Sequence, residues 1–511
     1  MSDSELPLLI QQMLQPGFYP HPVVEPIQLI QTHASYVLLT GDRAYKLKKP
    51  VNFGFLDYST LKKRQYFCSE ELRLNQRGAP DLYLDVVPIF QTKTEFNLSS
   101  RGEPVEYAVQ MRQFPQENLF SSLFGCRKLS VELLEELGKV VANFHTQATS
   151  TPYIRSFGSV NRIRAAFDDN YQQTEKYIGG PQTQSQLEAT RQYTDRFFDQ
   201  HQDLFASRIQ THRIRECHGD LHLRNICLWQ DKIQLFDCIE FSEIFRFVDV
   251  MYDVAFTVMD LEAGPNSTLA NTFLNTYIEQ TADWEGLQLL PLYCSRQAYV
   301  RAKVTSFLLD NPMMAATART ATEAMAARYY QLAWQYTKPR QGRLLLMAGL
   351  SGSGKSTVAR ILARSLGAIH IRSDAVRKHL AGIPLESKGD AKIYSPAMGN
   401  RTYDRLLQLG ILLAIQGFPV ILDAKYDRRA LRLTVAEQAK AQRIPFHICH
   451  CTAPSGVLAD RLQQRQDDIS DATADLLARQ QAGWESFTEV EQGYVKTVDT
   501  TQDVESQLAW I

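Results

Sequence analysis

The densest chemical signal in the chain is Gly349-Leu350-Ser351-Gly352-Ser353-Gly354-Lys355-Ser356-Thr357. It fits G-x-x-x-x-G-K-[ST], a loop built to cradle phosphate. Glycines let backbone N–H groups turn inward around phosphate oxygens. Lys355 supplies a point charge to β- and γ-phosphates, and the Ser356 hydroxyl can take a place on Mg²⁺. A second set lies upstream in Cys217-His218-Gly219-Asp220-Leu221-His222-Leu223-Arg224-Asn225-Ile226, followed by Ile233-Gln234-Leu235-Phe236-Asp237-Cys238-Ile239-Glu240-Phe241. Asp220 and Asn225 are close in sequence, and Asp237 ends an apolar strand. Phosphoryl transfer wants this set: one carboxylate to accept the alcohol proton, an amide and a second carboxylate to hold Mg²⁺ on the phosphates. A plain turn at His218-Gly219-Asp220 and a helix cap at Asp237 would explain each part alone, but not the joint spacing.

A third, weaker set is Lys46 with Glu71. Arg43-Ala44-Tyr45-Lys46-Leu47-Lys48 alternates as a strand does, with Lys46 and Lys48 on the face of Ala44. Taken alone this fits a solvated edge strand. The helix expected from a cap at Asp57 or Ser59 to about Arg77 puts Glu71 on the face of Phe67, Cys68 and Leu74. An inward Glu needs a cation, and Lys46 is the natural one.

The elements that must position these residues can be read from periodicity. Around the phosphate loop, Leu344–Ala348 reads as a buried parallel strand, and Val358–Leu366 as a helix stopped by Gly367. Further strands are expected at 370–374, 419–423 and 445–449, the first two ending in Asp374 and Asp423. Helices are expected from Ala375, over 457–465, and opening at Ser470-Asp471-Ala472. Alternating strand and helix means a parallel doubly wound sheet, whose ligands sit beyond the carboxyl ends of the strands. Asp374 and Asp423 would then face Lys355. Arg377, three residues after Asp374 on a helix start, falls on the same side of the cleft. A helix cap at Ser373 or Asp374 is the bland alternative.

Towards the N-terminus the pattern is a short helix at 7–15, strands between Ile27 and Lys49, and strands near 82–90 and 105–111. A hinge comes next at Arg112–Pro115. Helices are expected over 131–147, 160–178 and 184–206, and through 265–335. His145 reads as a packed or capping histidine.

The bulk numbers exclude some classes. With 511 residues, two or three domains are expected. A formal net charge of −1 gives no global basic field for nucleic acid or membrane, although a local basic patch stays open. The eight cysteines form no C-x-x-C and read as reduced thiols of a cytoplasmic protein. Cys449-His450-Cys451 puts both sulfurs on one strand face with no second ligand pair, which reads as core. No signal peptide is visible. Leu406–Leu422, the most apolar long stretch, is broken by Gly417-Phe418-Pro419, so no membrane span is expected.

On these motifs, residues 26–335 resemble the aminoglycoside phosphotransferase and choline kinase group, which shares the protein-kinase-like α+β fold of two lobes. The resemblance implies that Lys46 holds the α/β-phosphates, Glu71 positions Lys46, Asp220 is the catalytic base, and Asn225 and Asp237 bind Mg²⁺. It makes His218 the structural histidine of the loop and Arg246, Asp249 and Asp253 its buttress. No G-x-G-x-x-G precedes Lys46; Thr32-His33-Ala34-Ser35 takes that turn. No activation segment of protein-kinase type is visible, so a small-molecule kinase fits better. Residues 342–511 resemble the P-loop small kinases, including gluconate kinase, chloramphenicol phosphotransferase and the polynucleotide 5′-kinase domain. That resemblance implies Asp374 as acceptor base, Arg377 as substrate binder, Asp423 as the metal-side carboxylate, and Arg461 or Arg465 as lid arginines. The order of the two units matches bacterial fusions of the two folds.

The expected organisation is an N-terminal extension (1–25), a small lobe (26–112), a large lobe (113–335), a linker (336–342) and an α/β P-loop domain (343–511). The expected activity is ATP- and Mg²⁺-dependent phosphoryl transfer to small-molecule alcohols at two sites. Two alternatives stay open: one unit binds nucleotide without turnover and regulates the other, or the P-loop unit phosphorylates nucleic-acid 5′-hydroxyls. Near-zero net charge weighs against the last. The acceptors and the oligomeric state are not encoded in any motif.

Overall fold

The computed structural model describes residues 6–93, 95–99, 102–266, 268–390, 392–464, 469–471 and 473–509. The chain forms two compact units. One comprises Met1–Ser130, Asn143–Pro265 and Leu292–Thr337; the other comprises Val131–Ala142, Asn266–Pro291 and Lys338–Ile511.

The first unit is α+β with two lobes. Its small lobe is a six-stranded sheet of β1 (Gln28–Gln31), β2 (Ser35–Leu39), β3 (Arg43–Lys48), β4 (Tyr83–Gln91), β5 (Phe96–Asn97) and β6 (Glu106–Arg112). The strands run antiparallel in the order β1-β2-β3-β6-β4-β5. β3 is therefore interior, paired with β2 and β6, and Lys48 is only 2 % exposed. The solvated edge strand is corrected here. Alternation tells which side chains share a face, not what covers it, and the helix Leu61–Asn75 supplies Glu71 to that face. Thr60, not Asp57 or Ser59, caps this helix, its side chain accepting from Lys63 N–H. Asp57 instead accepts from the Ser59 backbone and hydroxyl.

The large lobe is mostly helical. The expected 184–206 helix is broken at His201 into Gln184–Gln200 and Gln202–Gln210. Short strands then build the loop region: β7 (Ile214–Glu216), β8 (Ile226–Trp229), β9 (Lys232–Leu235) and β10 (Phe247–Asp249). β7 pairs with β10 and β8 with β9, both antiparallel. Helix Val250–Glu262 is almost wholly buried beneath them, and Ala316–Tyr336 and most of the Leu290–Phe307 helix complete this unit.

In the second unit β11 (Arg343–Ala348), β12 (Ile369–Arg372), β13 (Pro419–Asp423), β14 (Phe446–Thr452) and β15 (Val495–Asp499) form a parallel sheet in the order β12-β13-β11-β14-β15. Leu345, Met347, Val358, Leu362, Ile421, Cys449 and Cys451 share one core cluster, so the two thiols are packing groups. Three expectations shift. β12 stops at Arg372 and the next helix is Ser373–Ala381, which puts Asp374 in a helical first turn. The helix anticipated at 470–472 lies at Leu477–Ala482, and Ala472 falls outside the described residues. Asp471 instead accepts from Gly389 N–H at 2.8 Å and Tyr394 O–H at 2.6 Å. β15 went unread because Val495-Lys496-Thr497-Val498-Asp499 is half polar. No helix among the described residues is long and apolar enough to cross a membrane.

Candidate active sites

In the first unit, β3 and the helix Leu61–Asn75 bring two lysines onto one carboxylate. Lys46 Nζ lies 2.8 Å from Glu71 Oε1 and 2.6 Å from Asp237 Oδ1. Lys48 Nζ lies 2.7 Å from Glu71 Oε2 and also pairs with Glu240, which accepts in turn from Tyr58 O–H. Burial would push the Glu71 carboxyl up; Lys46 and Lys48 outweigh it and hold it at about 2. Asp237 has φ +63, a left-handed conformation rare for a residue with a side chain, and its N–H donates to Tyr83 Oη. Such strain persists only where the surroundings impose it.

The loop that carries Asp220 is suspended from the buried helix Val250–Glu262. Asp253 accepts from His218 N–H at 2.7 Å and Gly219 N–H at 2.9 Å. Gly219 has φ +85, and a Cβ there would come within 2.6 Å of Phe245 O, so the turn needs glycine. His218 Nδ1 accepts from Asp220 N–H, leaving Nε2–H to donate to Phe236 O at 2.9 Å. His145 packs against Asp253 at 3.3 Å. His145, Cys217 and Asp253 group like metal ligands, within 4.8 Å of one another. Both Asp253 oxygens are already engaged by loop amides, so this group is a structural knot.

Asn225 Nδ2 donates to Asp220 O at 3.0 Å and Asp220 Oδ2 at 3.2 Å. His222 Nε2 lies 3.4 Å from the same Oδ2. Burial raises the Asp220 carboxyl, and His222 more than offsets it, so the net shift is downward. Burial likewise lowers His222, and Asp220 more than offsets that, holding it above its usual value. Arg246 reaches Glu216 at 3.3 Å and Glu240 O at 3.1 Å, and Asp249 is held by Arg208 at 2.6 Å.

Sequence reasoning missed Lys48, Tyr58, Glu240 and His222. His222 had a signal, since it lies inside the Asp220 motif. Glu240 had none, because its partner Lys48 is 192 positions away.

In the second unit the phosphate loop joins β11 to the helix Lys355–Leu366, whose first turn holds Lys355, Ser356 and Thr357. A Cβ on Gly349 would sit 2.4 Å from Cys451 O and 2.7 Å from Ser353 Oγ, and one on Gly352 2.7 Å from Leu458 O. Gly354 is left-handed at φ +78. Ser353 Oγ is buried without a hydrogen-bond partner. Lys355 Nζ reaches Leu350 O at 2.8 Å. Gln480 closes one side, accepting from Ser351 N–H and donating to Ser351 Oγ, each at 3.0 Å.

Asp423, at the carboxyl end of β13, lies 3.0 Å from His370 Nε2. Burial pushes its carboxyl up, but the His370 bond, with Arg372 and Lys355, holds it well below the usual range. Asp374 Oδ1 lies 2.5 Å from Arg377 Nη1, and the Arg377 guanidinium sits 5.1 Å over the Tyr394 ring. Arg461, expected as a lid arginine, donates to Thr500 Oγ1 at 2.8 Å, Thr500 O at 2.9 Å and Gly352 O at 3.4 Å. Arg465 lies outside the described residues.

Two family descriptions match the chain: "Phosphotransferase enzyme family" over residues 126–290 and "AAA domain" over residues 344–487. Relatives run along nearly the whole length. "Uncharacterized protein Rv2004c" of Mycobacterium tuberculosis and "Uncharacterized protein Mb2027c" of Mycobacterium bovis are each 31% identical over 477 residues, covering 91% of this chain and 93% of theirs. Among solved structures, the chain is similar to a choline/ethanolamine kinase family protein from Mesorhizobium loti. That match has 10% identity and a TM-score of 0.35, and covers 63% of this chain and 97% of that one. A gluconokinase from Sinorhizobium meliloti 1021 is similar at 22% identity and a TM-score of 0.24, over 33% of this chain and 89% of its own.

Proposed function

We propose that this chain, which belongs to the same family as these mycobacterial proteins, is an ATP- and Mg²⁺-dependent phosphotransferase with two nucleotide sites. Each transfers a γ-phosphoryl group to an alcohol of a small molecule. The observation that carries the reading is the Lys46–Glu71–Asp237 ion-pair set and the Asp220–Asn225 hydrogen bond in one unit, together with a complete phosphate loop in the other.

The residues present fit the groups the reading requires. The close approach of Gly349 and Gly352 to the Cys451 and Leu458 carbonyls leaves no room for side chains, and the buried Ser353 Oγ has no partner, which suits a phosphate loop at a helix N-terminus. Lys355, Ser356 and Thr357 would hold the phosphates and metal there, with Asp423 on the metal side. In the first unit Lys46 would grip phosphate, while Asn225 and Asp237 would hold the metal. When bound, Mg²⁺ neutralises phosphate charge and orients the transferred group.

Asp220, kept ionised by His222, is fitted to accept the proton of an acceptor hydroxyl. Glu71 fixes Lys46 in place. Asp374 would take the corresponding proton in the second unit, with Arg377 gripping an anionic or polyhydroxy acceptor.

The test is an ADP-release screen of the whole chain against sugars, polyols, amino alcohols, nucleosides and 5′-hydroxyl oligonucleotides. Acceptor-dependent release that needs Asp220 for one compound class and Lys355 for another supports the reading. Release stimulated by no alcohol would sink it.

One set of contacts favours a second reading for the P-loop unit. Asp374 is closed on Arg377, Asp423 on His370, and Arg461 on Thr500. A site whose candidate groups already satisfy one another suits nucleotide binding without turnover, as a regulator. Nucleic-acid 5′-hydroxyls as acceptors draw no support from these contacts.

A further inference from the structure

The helical part of the first unit holds a pocket that the phosphoryl-transfer residues do not use. It is a cleft open to solvent whose walls include Phe157, Arg162, Phe167, Tyr252, Tyr293 and Arg296, with about 500 Å³ of space between them when the open solvent at its mouth is counted. Arg296 is only 8 % exposed. Among the described residues its guanidinium faces no carboxylate partner. Nη1 donates to Tyr252 Oη, and the group lies 4.9 Å from the Tyr252 ring and 5.4 Å from that of Phe167. The carboxylate in the wall, Asp249, is held by the Arg208 fork at 2.7 and 2.6 Å. Arg162 stands exposed at the rim, 4.5 Å over the Phe157 ring.

The surroundings are also cationic. Lys303 donates to Asn170 Oδ1 at 2.6 Å. Burial and then the nearby Arg296 charge lower its amine to about 8, with Asp169 opposing. A buried guanidinium without a counter-ion is costly and is tolerated where an anion completes it. Its planar fork matches carboxylate or phosphate oxygens. The aromatic walls offer ring faces and edges to whatever body carries the anion.

We propose that this pocket binds a small organic anion, a carboxylate or phosphate borne on an aromatic or apolar body, with Arg296 and Arg162 gripping the anionic group. It stands apart from the reading of the two nucleotide sites. It is tested by titration calorimetry of the whole chain with phenyl phosphate, benzoate, benzyl alcohol and inorganic phosphate, with both nucleotide sites saturated by a non-hydrolysable ATP analogue. Saturable binding of at least one ring-borne anion is expected, at least tenfold tighter than benzyl alcohol or inorganic phosphate. The stronger of phenyl phosphate and benzoate identifies which anion the fork prefers.

Arg162→Ala, at an exposed position that leaves folding intact, should weaken binding at least tenfold, and Arg296→Met should abolish it. The proposal is overturned if neither anion binds with the nucleotide sites filled, if benzyl alcohol binds equally well, or if Arg162→Ala binds as the wild type does.

Discussion

Glu71 is gripped on both oxygens, by Lys46 on one and Lys48 on the other. Removing it takes from each ammonium one of its two carboxylate partners, Asp237 and Glu240 remaining, so Glu71→Gln should cost about 3–5 kcal/mol of stability at neutral pH. The carboxyl sits at about 2 in the folded chain against an ordinary 4.5. A depressed value stabilises the fold above the ordinary one, and that contribution fades as pH falls from 4.5 towards 2. Denaturant unfolding of the first unit measured against pH should show a wild-type loss across that window that Glu71→Gln lacks; parallel curves would refute the pairing. The juxtaposition of Lys46 and Glu71 was legible because the helix phase turned Glu71 inward. Lys48 was not, because its burial depends on Glu240 and Tyr58, contacts that chain-local periodicity does not encode. At Asp220 the expectation is kinetic. Asp220→Asn keeps the shape but removes the proton acceptor, so turnover at that site should fall about 10²–10⁴-fold. Nucleotide affinity, measured by calorimetry, should stay within experimental error; a loss of affinity equal to the loss of rate would assign Asp220 to binding instead.

At the scale of elements, each site hangs on a junction between a strand and the next element of the chain. β11 runs into the phosphate loop and the helix Lys355–Leu366, and strand and helix were both readable from apolar runs bounded by glycine. β12 and its helix were readable as a pair but not at their boundary, because Ser373 and Asp374 serve a strand end and a helical first turn equally well. β15 was invisible, since an edge strand with one buried face leaves little apolar signal. The tightness of the loop gives its own prediction. Gly349 has φ +140, and an added Cβ meets Cys451 O and Ser353 Oγ well inside contact distance. Gly349→Ala should weaken nucleotide binding at the second unit by about fivefold or more, since displacing that backbone costs about 1–3 kcal/mol. Binding at the first unit, read in the same titration, should not move. An unchanged affinity at both would mean the loop relaxes freely and the cradle is not preorganised.

At the scale of the whole molecule, the compact units depart from the linear order of the chain. Segment 266–291 lies almost wholly within the phosphotransferase-family match yet belongs to the compact unit of the P-loop sheet. There Asn271 and Asn275 donate to Ala368 O, each at 2.9 Å, and His370 N–H donates to Asn275 Oδ1 at 2.8 Å. Nothing in the spacing of residues 266–291 announces this, because an amide that bonds a distant backbone group looks like any polar helix residue. A fragment of residues 343–511 alone would leave these groups to water and expose the apolar surface beside them. It should melt well below the second unit of the intact chain, or aggregate; an equal melting temperature would show that the added segments contribute nothing.

The central claim is that two chemically separate nucleotide sites share one chain. Titration calorimetry with a non-hydrolysable ATP analogue and Mg²⁺ tests it most directly, on the wild type, Lys46→Ala and Lys355→Ala. The account predicts two nucleotides bound per wild-type chain and one per chain in each variant, with the remaining site's affinity unchanged. One nucleotide per wild-type chain, or loss of all binding in either single variant, would contradict it.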